Sequence, residues 1–132
     1  RFHPLEILLS MAMKMAAVVL LGVPAAAVLI FEMLLNGMAM FNHSNVRLPL
    51  CLDAFLRRIV VTPDMHRVHH SVIVGETNSN YGFNLSIWDR LFGSYRAQPK
   101  QGHDAMCIGL PGMQSGRADG LKELLFLPFA RK

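Results

Sequence analysis

The feature that most constrains this 132-residue chain is an apolar segment that runs from residue 5 to residue 41. It holds most of the apolar mass of a chain in which 52% of the residues are hydrophobic. A segment of this length can cross a membrane once, as one helix over about residues 15–35, or twice, as a helical hairpin. The segment lacks a charged start followed by a small-residue cleavage site, which is the pattern of a signal peptide.

The Gly-Val-Pro sequence at residues 22–24 favours the hairpin, because Gly ends helices and Pro begins them. If the segment folds about Val23, Lys14 and Glu32 each lie nine positions from the turn. At 1.5 Å per residue both reach a depth of about 13 Å. Charges inside a bilayer are costly unless they are paired. We therefore predict a hairpin over residues 4–42 with Lys14 and Glu32 as an intramembrane pair. A single span stays open as the alternative to the hairpin, and a snorkelling Lys14 with Glu32 facing a protein interior as the alternative to the pair.

Charge is distributed unevenly along the chain. Eleven of the thirteen Lys and Arg residues, but seven of the nine acids, lie at or beyond Arg47, so the net charge of +4 belongs to the second part. An excess of basic residues beside a membrane segment favours the cytoplasmic side. The basic residues are scattered rather than clustered, which argues against nucleic-acid binding. We expect an integral, multi-pass membrane protein whose polar part faces the cytosol, with Cys51 and Cys107 unpaired.

Beyond residue 42 the chain becomes polar, and short helices joined by loops are expected. Thr62-Pro63-Asp64 is a helix-start signal, with a capping hydroxyl, Pro in the first turn and an acid near the helix N-terminus. The composition predicts an interfacial helix over 50–61, a histidine-bearing helix after Thr62, a loop over 74–80, an aromatic-rich helix over 81–95, an extended or mobile segment over 97–120 and a last helix over 121–129. The predicted fold class is all-α, a membrane hairpin followed by short cytosolic or interfacial helices.

Three of the six histidines, His66, His69 and His70, fall within five residues. On a helix their spacing brings the side chains to one face, within an arc of about 100°. Neutral imidazole is a common metal ligand, whereas three protonated imidazoles on one face would repel one another. The cluster lacks the paired Cys and His spacing of a zinc finger. We therefore predict that these three histidines are metal ligands.

The remaining histidines differ in their surroundings. His3 and His43 each lie twenty positions from Val23, so the hairpin brings both to the membrane face where the polar part begins. We predict His43 as a further ligand and include His3 as an additional candidate, although capping roles in loops are common for such residues. His103 lies in a Gly-rich stretch and is expected to be a surface residue.

The segments around these histidines resemble a known family. HRVHHS at 66–71, preceded by Thr-Pro, and NYGFNLSIWDRLFGSY at 80–95 are similar to the C-terminal signature of the fatty acid hydroxylase/sterol desaturase superfamily. RFHPLE at 1–6 and FNHSNVRLP at 41–49 resemble segments that flank its membrane helices. The resemblance implies a family domain over residues 1–96, with the hairpin at about 4–42 and a metal-site part at 43–96, and leaves a Gly- and Pro-containing tail at 97–132 that carries a short amphipathic helix.

The resemblance implies a membrane-embedded enzyme that holds two iron ions through several histidine boxes. It would use O2 and an electron donor to hydroxylate or desaturate a C–H bond of a sterol, fatty acyl chain or related lipid. In this chain His66, His69 and His70 match the last box, His43 matches the single histidine upstream of it, and His3 matches a frequent family position. We expect the earlier boxes to precede Arg1, so that the chain is a C-terminal fragment that is inactive alone.

The resemblance also singles out polar and aromatic residues after the cluster. Candidates for orienting or structural roles are Asn80, Tyr81, Trp88, Asp89 and Arg90. A carboxylate such as Asp89 would orient a ligand imidazole by accepting its second N–H, whereas Trp88 and Phe92 would pack the helix onto the site. The alternative function is a non-catalytic membrane remnant, or a membrane module that binds or transports metal.

Overall fold

The computed structural model describes residues 3–109, 120–126 and 129, and it divides into two compact units, residues 1–32 with 115–132 and residues 33–114. The described part contains helices and isolated β-bridges but no strand, which confirms the all-α prediction. The helices are α1 (Pro4–Leu21), α2 (Ala25–Asn42), α3 (Leu50–Leu56), α4 (Pro63–His69), α5 (Val74–Thr77), α6 (Ile87–Leu91), α7 (Gly102–Ala105) and α8 (Leu121–Phe126).

The turn between α1 and α2 lies where the sequence predicts it. Helix α1 ends at Leu21, and Gly22 adopts a left-handed φ of 62°, which costs glycine little. The N–H of Val23 donates to the carbonyl of Val18 at 3.0 Å, the closure that commonly ends a helix at such a glycine. Pro24 then precedes α2, so local sequence alone accounts for the hairpin turn.

Both long helices expose apolar side chains along their length. Their mean hydropathies are 1.8 and 1.5, and each has the length and composition needed to cross a membrane. No α1 side chain is buried, and Asn42 is the one buried residue of α2. The Lys14 ammonium donates to a Glu32 carboxylate oxygen at 2.8 Å, so the charges meet as the turn geometry requires. Apolar helices with a matched ion pair suit association with a membrane.

Helix α6 is shorter than the aromatic-rich helix predicted over residues 81–95. The N–H of Val61 donates to the carbonyl of Asn84 at 3.0 Å, and the N–H of Ser86 donates to that of Ile59 at 3.1 Å. This pairing, centred on the bridge between Val60 and Leu85, holds the chain just before Ser86 in an extended conformation. The long-range hydrogen bonds therefore confine the helix to Ile87–Leu91.

The polar segment after residue 96 is folded against the histidines as far as residue 109. The N–H of Val72 donates to the carbonyl of Cys107, and the N–H of Gly109 to that of His70, both at 3.0 Å. The sequence predicted an extended or mobile segment over 97–120. Instead, residues 97–109 contain α7 and pair with the end of the histidine cluster, while 110–119 lie outside the described residues.

Three further elements differ in detail from their predictions. Helix α3 ends at Leu56, before the end predicted at residue 61. Helix α5 lies within the segment predicted as a loop over 74–80. Helix α8 lies within the predicted helix over 121–129, of which residues 127 and 128 are outside the described part.

Candidate metal centre

Helix α4 positions two of the clustered histidines, and His70 follows directly as its C-terminal cap. The Thr62 hydroxyl accepts a hydrogen bond from the N–H of Met65 at 3.4 Å, so the predicted N-cap is present. Met65 and Val68 lie three positions apart and are fully buried. Burial of this apolar face fixes the rotation of the helix and directs the histidines to its other side.

Three histidine side chains converge within the described residues. The Nε2 atom of His66 lies 3.2 Å from Nε2 of His43 and 3.1 Å from Nε2 of His70. The three ligand atoms all lie within 4.8 Å of one another. Two imidazole nitrogens bound to one metal at about 2.1 Å, with an angle of about 90–110° between them, lie about 3.0–3.4 Å apart. The two separations from His66 therefore match those of neighbouring ligands on a single metal ion.

Hydrogen bonding defines the tautomer of His43. Its Nδ1 lies 2.8 Å from the carbonyl oxygen of Ala39, and because a carbonyl only accepts, Nδ1 carries the proton. In the neutral ring, Nε2 of His43 then carries a lone pair that is directed at Nε2 of His66. One N–H on His66 can satisfy either His43 or His70 but not both, so the neutral triad leaves nitrogen lone pairs facing one another. A bound cation removes this conflict.

The surroundings lower the pKa of two of the three imidazoles, those of His66 and His70. Burial lowers the pKa of His66 to about 3, with further contributions from the neighbouring His70, His43 and His69. Burial, followed by the charges of His69 and His43, also lowers the pKa of His70. Deprotonated imidazoles at neutral pH are what a metal requires of its ligands. In the tautomer that can bind a metal through Nε2, the proton of His66 lies on Nδ1, which is buried without a partner among the described residues. The free-energy cost of this unpaired N–H is offset when a metal binds.

His69 is adjacent to this triad but is not part of it. Its ring centroid lies 5.7 Å from that of His66 and 5.4 Å from that of His70. Nδ1 of His69 donates to the carbonyl of Ser79 at 3.0 Å, which leaves Nε2 as a lone pair. Backbone carbonyls therefore orient both His43 and His69, in the manner common for histidine ligands.

His3 belongs to the other unit and has local partners there. Its Nδ1 accepts from the N–H of Leu5 at 3.2 Å, and its Nε2 lies 2.9 Å from the carbonyl oxygen of Leu125. Both ring nitrogens are engaged, so a metal would have to displace one of these contacts. The ligand role of His3 stays a prediction.

Asn80 and Asp89 organise the loop that faces the cluster. Asn80 is fully buried, and its amide donates to the carbonyls of Met65 and Arg96 while accepting the N–H of Arg96 at 2.8 Å. The Asp89 carboxylate accepts from the N–H of Gly82 and the hydroxyl of Ser94. Asp89 is therefore engaged with its own loop rather than with an imidazole.

The three other candidates after the cluster have different surroundings. Tyr81 lies edge-on to His69 with 5.6 Å between ring centroids. Trp88 is half exposed and stacks with Phe92 at 6.4 Å. Arg90 lies over the ring of Tyr95 at 3.9 Å. Of these, Tyr81 is the one that contacts a clustered histidine within the described part of the chain.

Sequence reasoning missed several groups around the site. The Glu76 carboxylate is buried and accepts from the Ser71 hydroxyl and the N–H of Lys100, both at 2.6 Å. Burial opposes its ionisation, but these donors and Arg96 outweigh it and lower the pKa of Glu76. Both ring nitrogens of His103 are buried without a hydrogen-bond partner among the described residues, so it is not the free surface residue that the sequence suggested.

Comparison with known proteins identifies the family. The family model described as fatty acid hydroxylase matches residues 1–94. The chain is 35% identical over 135 aligned residues to the ornithine lipid hydroxylase OlsE of Rhizobium tropici, covering 100% of this chain and 38% of that protein. The chain thus spans about two fifths of the length of this curated relative, and no solved structure matches it. With its histidine triad and two apolar helices, this chain belongs to the fatty acid hydroxylase family.

Proposed function

We propose that this chain forms the C-terminal part of a membrane di-iron enzyme that uses O2 to hydroxylate or desaturate a lipid C–H bond. The observation that carries the proposal is the convergence of three Nε2 atoms from His43, His66 and His70. His43 lies directly after α2, whereas His66 and His70 lie in and at the end of α4, so the fold brings two distant segments together. The family match supports a lipid substrate.

The triad would hold one iron, and His69 would contribute to the second, with the remaining ligands supplied by segments of the whole protein that are not in this chain. Bound iron supplies the redox chemistry that couples O2 reduction, with electrons from a donor, to oxidation of the lipid. The chain itself keeps the imidazole of His66 neutral by burial. The carbonyls of Ala39 and Ser79 orient His43 and His69, so two ligands are positioned before a metal binds.

The substrate is proposed to be a membrane lipid. The similar Rhizobium tropici protein is an ornithine lipid hydroxylase, which supports a polar lipid and favours hydroxylation. The two apolar helices support a multi-pass membrane location. The excess of basic residues beyond Arg47 supports a metal site on the cytosolic face.

The test requires the whole protein in membranes, with iron content and oxidised lipid products measured by metal analysis and mass spectrometry. We expect about two irons per chain and an oxidised lipid. His70→Ala and His69→Ala should each lose iron and product, because each removes one proposed ligand. His103→Asn is the matched control, since it removes a histidine outside the cluster and should retain both.

Two outcomes would overturn the proposal. Normal iron content in His70→Ala would exclude the triad as an iron site. Iron binding without any lipid product, when electrons and O2 are supplied, would favour a metal-binding membrane module instead.

A further inference from the structure

A second concave site lies between α3 and residues 90–98. It is a cavity of about 450 Å³, and three arginines, Arg57, Arg58 and Arg90, line it. Asp53 is the acidic residue in its lining and forms an ion pair with Arg57. The lining therefore carries two positive charges in excess, which favours an anionic ligand.

Arg57 is fixed in the wall of this site. It is 6% exposed, donates from one terminal nitrogen to the carbonyl of Ala97 at 2.7 Å and from the other to Asp53. These bonds hold the guanidinium in place beside the cavity.

The other two guanidiniums are available at the cavity. Arg90 stacks over Tyr95 at 3.9 Å and donates one N–H to the carbonyl of Arg57 at 3.1 Å, which holds the group in place and leaves further donors. The exposed Arg58 side chain has no polar partner among the residues that the structure describes. Planar guanidiniums of this kind recognise phosphate and carboxylate groups.

Asp53 is paired with Arg57 inside the wall of the cavity. Its Oδ2 accepts from Arg57, and the residue is 5% exposed. Because this ion pair offsets one positive charge, the attraction for an anion comes mainly from Arg58 and Arg90. Among membrane components, lipids with an anionic phosphate in the headgroup have the matching charge.

The apolar surroundings favour a lipid over a free anion. Leu50 lines the cavity and is 82% exposed, and Phe55 and Ile59 on the same segment are 59% and 58% exposed. Helix α2, the second candidate membrane span, ends at Asn42, and α3 begins eight residues later. Exposed apolar side chains beside a basic cavity are typical of protein surfaces at the membrane interface.

We propose that this cavity binds the headgroup of an anionic membrane lipid, with its anionic oxygen on Arg58 and Arg90. The site is separate from the histidine triad and does not depend on the proposed catalytic function.

The test is calorimetric titration of the metal-free chain in neutral detergent micelles with short-chain phosphatidylglycerol, short-chain phosphatidylcholine and inorganic phosphate. Phosphatidylglycerol should bind with the highest affinity and weaken as ionic strength rises. Arg58→Gln with Arg90→Gln should lower its affinity by about tenfold. Arg47→Gln is the matched control, because this exposed arginine lies outside the cavity lining and should leave the affinity unchanged.

Arg90 also donates to the backbone, so circular dichroism should accompany the double variant. If that variant loses helix content, Arg58→Gln alone is used, with an expected loss of about threefold. Equal binding of phosphatidylcholine, or binding of inorganic phosphate as tight as that of phosphatidylglycerol, would overturn the lipid assignment. Unchanged affinity in the folded variants would exclude the cavity as the site.

Discussion

The hairpin of α1 and α2 and the polar region at residues 43–109 differ in which side chains they expose and which they bury. In α1 and α2 the apolar side chains are exposed, and Asn42 is their one buried residue. In the described part of 43–109 the fully buried apolar residues are Val61, Met65 and Val68, and most other buried side chains are polar or charged. The apolar helices thus suit a lipid environment, whereas the polar region depends on hydrogen bonds made in its interior.

This difference teaches where each region is sensitive to mutation. An apolar helix in lipid tolerates exchanges among apolar residues, because no single contact holds it. A small region with little apolar core depends on the partners of each buried polar group, since loss of one partner leaves the other unsatisfied. Four predictions test this contrast.

The largest effect is expected from Asn80→Ala. The substitution leaves two carbonyls and one N–H without their side-chain partner and puts Ala at a φ of 50°, a left-handed conformation. We expect a loss of about 4 kcal/mol in the free energy of unfolding. Denaturant titration in micelles, followed by the fluorescence of Trp88, measures it.

Asn78→Ala is the matched control, because Asn78 is exposed and accepts one hydrogen bond from Tyr81. It should cost about 0.5 kcal/mol or less. Similar losses for the two variants would remove the distinction between buried and exposed polar groups in this region.

The second effect is overpacking at Gly82. A Cβ there would lie 2.6 Å from a carboxylate oxygen of Asp89 and 2.9 Å from the carbonyl oxygen of Leu85. Gly82→Ala should therefore cost about 3 kcal/mol in the same denaturant titration. Gly75→Ala, whose Cβ would meet only Arg96 at 4.0 Å, should be nearly neutral. Equal stability of both variants would contradict the close approach of this loop to Asp89.

The third effect is a loss of stability in acid that originates in the histidine cluster. The pKa of His66 is about 3 in the folded chain and 6.5 in its ordinary state. Above pH 6.5 neither state binds the proton; below it the unfolded chain binds it first, so stability falls as the pH drops toward 3. Between neutral pH and pH 5 the metal-free chain should lose about 2 kcal/mol.

The lowered pKa of His70 acts in the same direction. Unfolding measured at pH 7 and pH 5 should show a smaller difference in His66→Gln than in the unchanged chain. An equal difference in both proteins would assign the acid sensitivity to groups other than His66.

The smallest effect concerns the one ion pair between α1 and α2 among the described contacts. Lys14 and Glu32 meet at 2.8 Å, so either single replacement by Leu removes this ion pair and leaves the other charged side chain among apolar residues. The double replacement should be more stable than the less stable single variant, with a coupling energy of about 1 kcal/mol in a thermal unfolding cycle. Additive effects would show that the pair contributes nothing and that each charge reaches water separately.

Local patterns account for much of what could be predicted. Gly22 and Pro24 defined the hairpin turn, and Thr62 with Pro63 defined the start of α4, because caps and breakers act within a few residues. The extended pairing at residues 59–61 and 84–86 was missed, because its hydrogen bonds join segments more than twenty residues apart. The same long-range pairing shortened the predicted aromatic helix.

The sequence by itself determined the family, the two apolar helices and the histidines worth considering, since these follow from residue types and short spacings. Only the tertiary structure decided that His43 joins His66 and His70 while His69 is directed by Ser79. It also decided that backbone carbonyls, rather than Asp89, orient the imidazoles of His43 and His69. The physical reason is that every residue carries a carbonyl, so its role depends on where the folded backbone brings it and leaves no mark in the sequence.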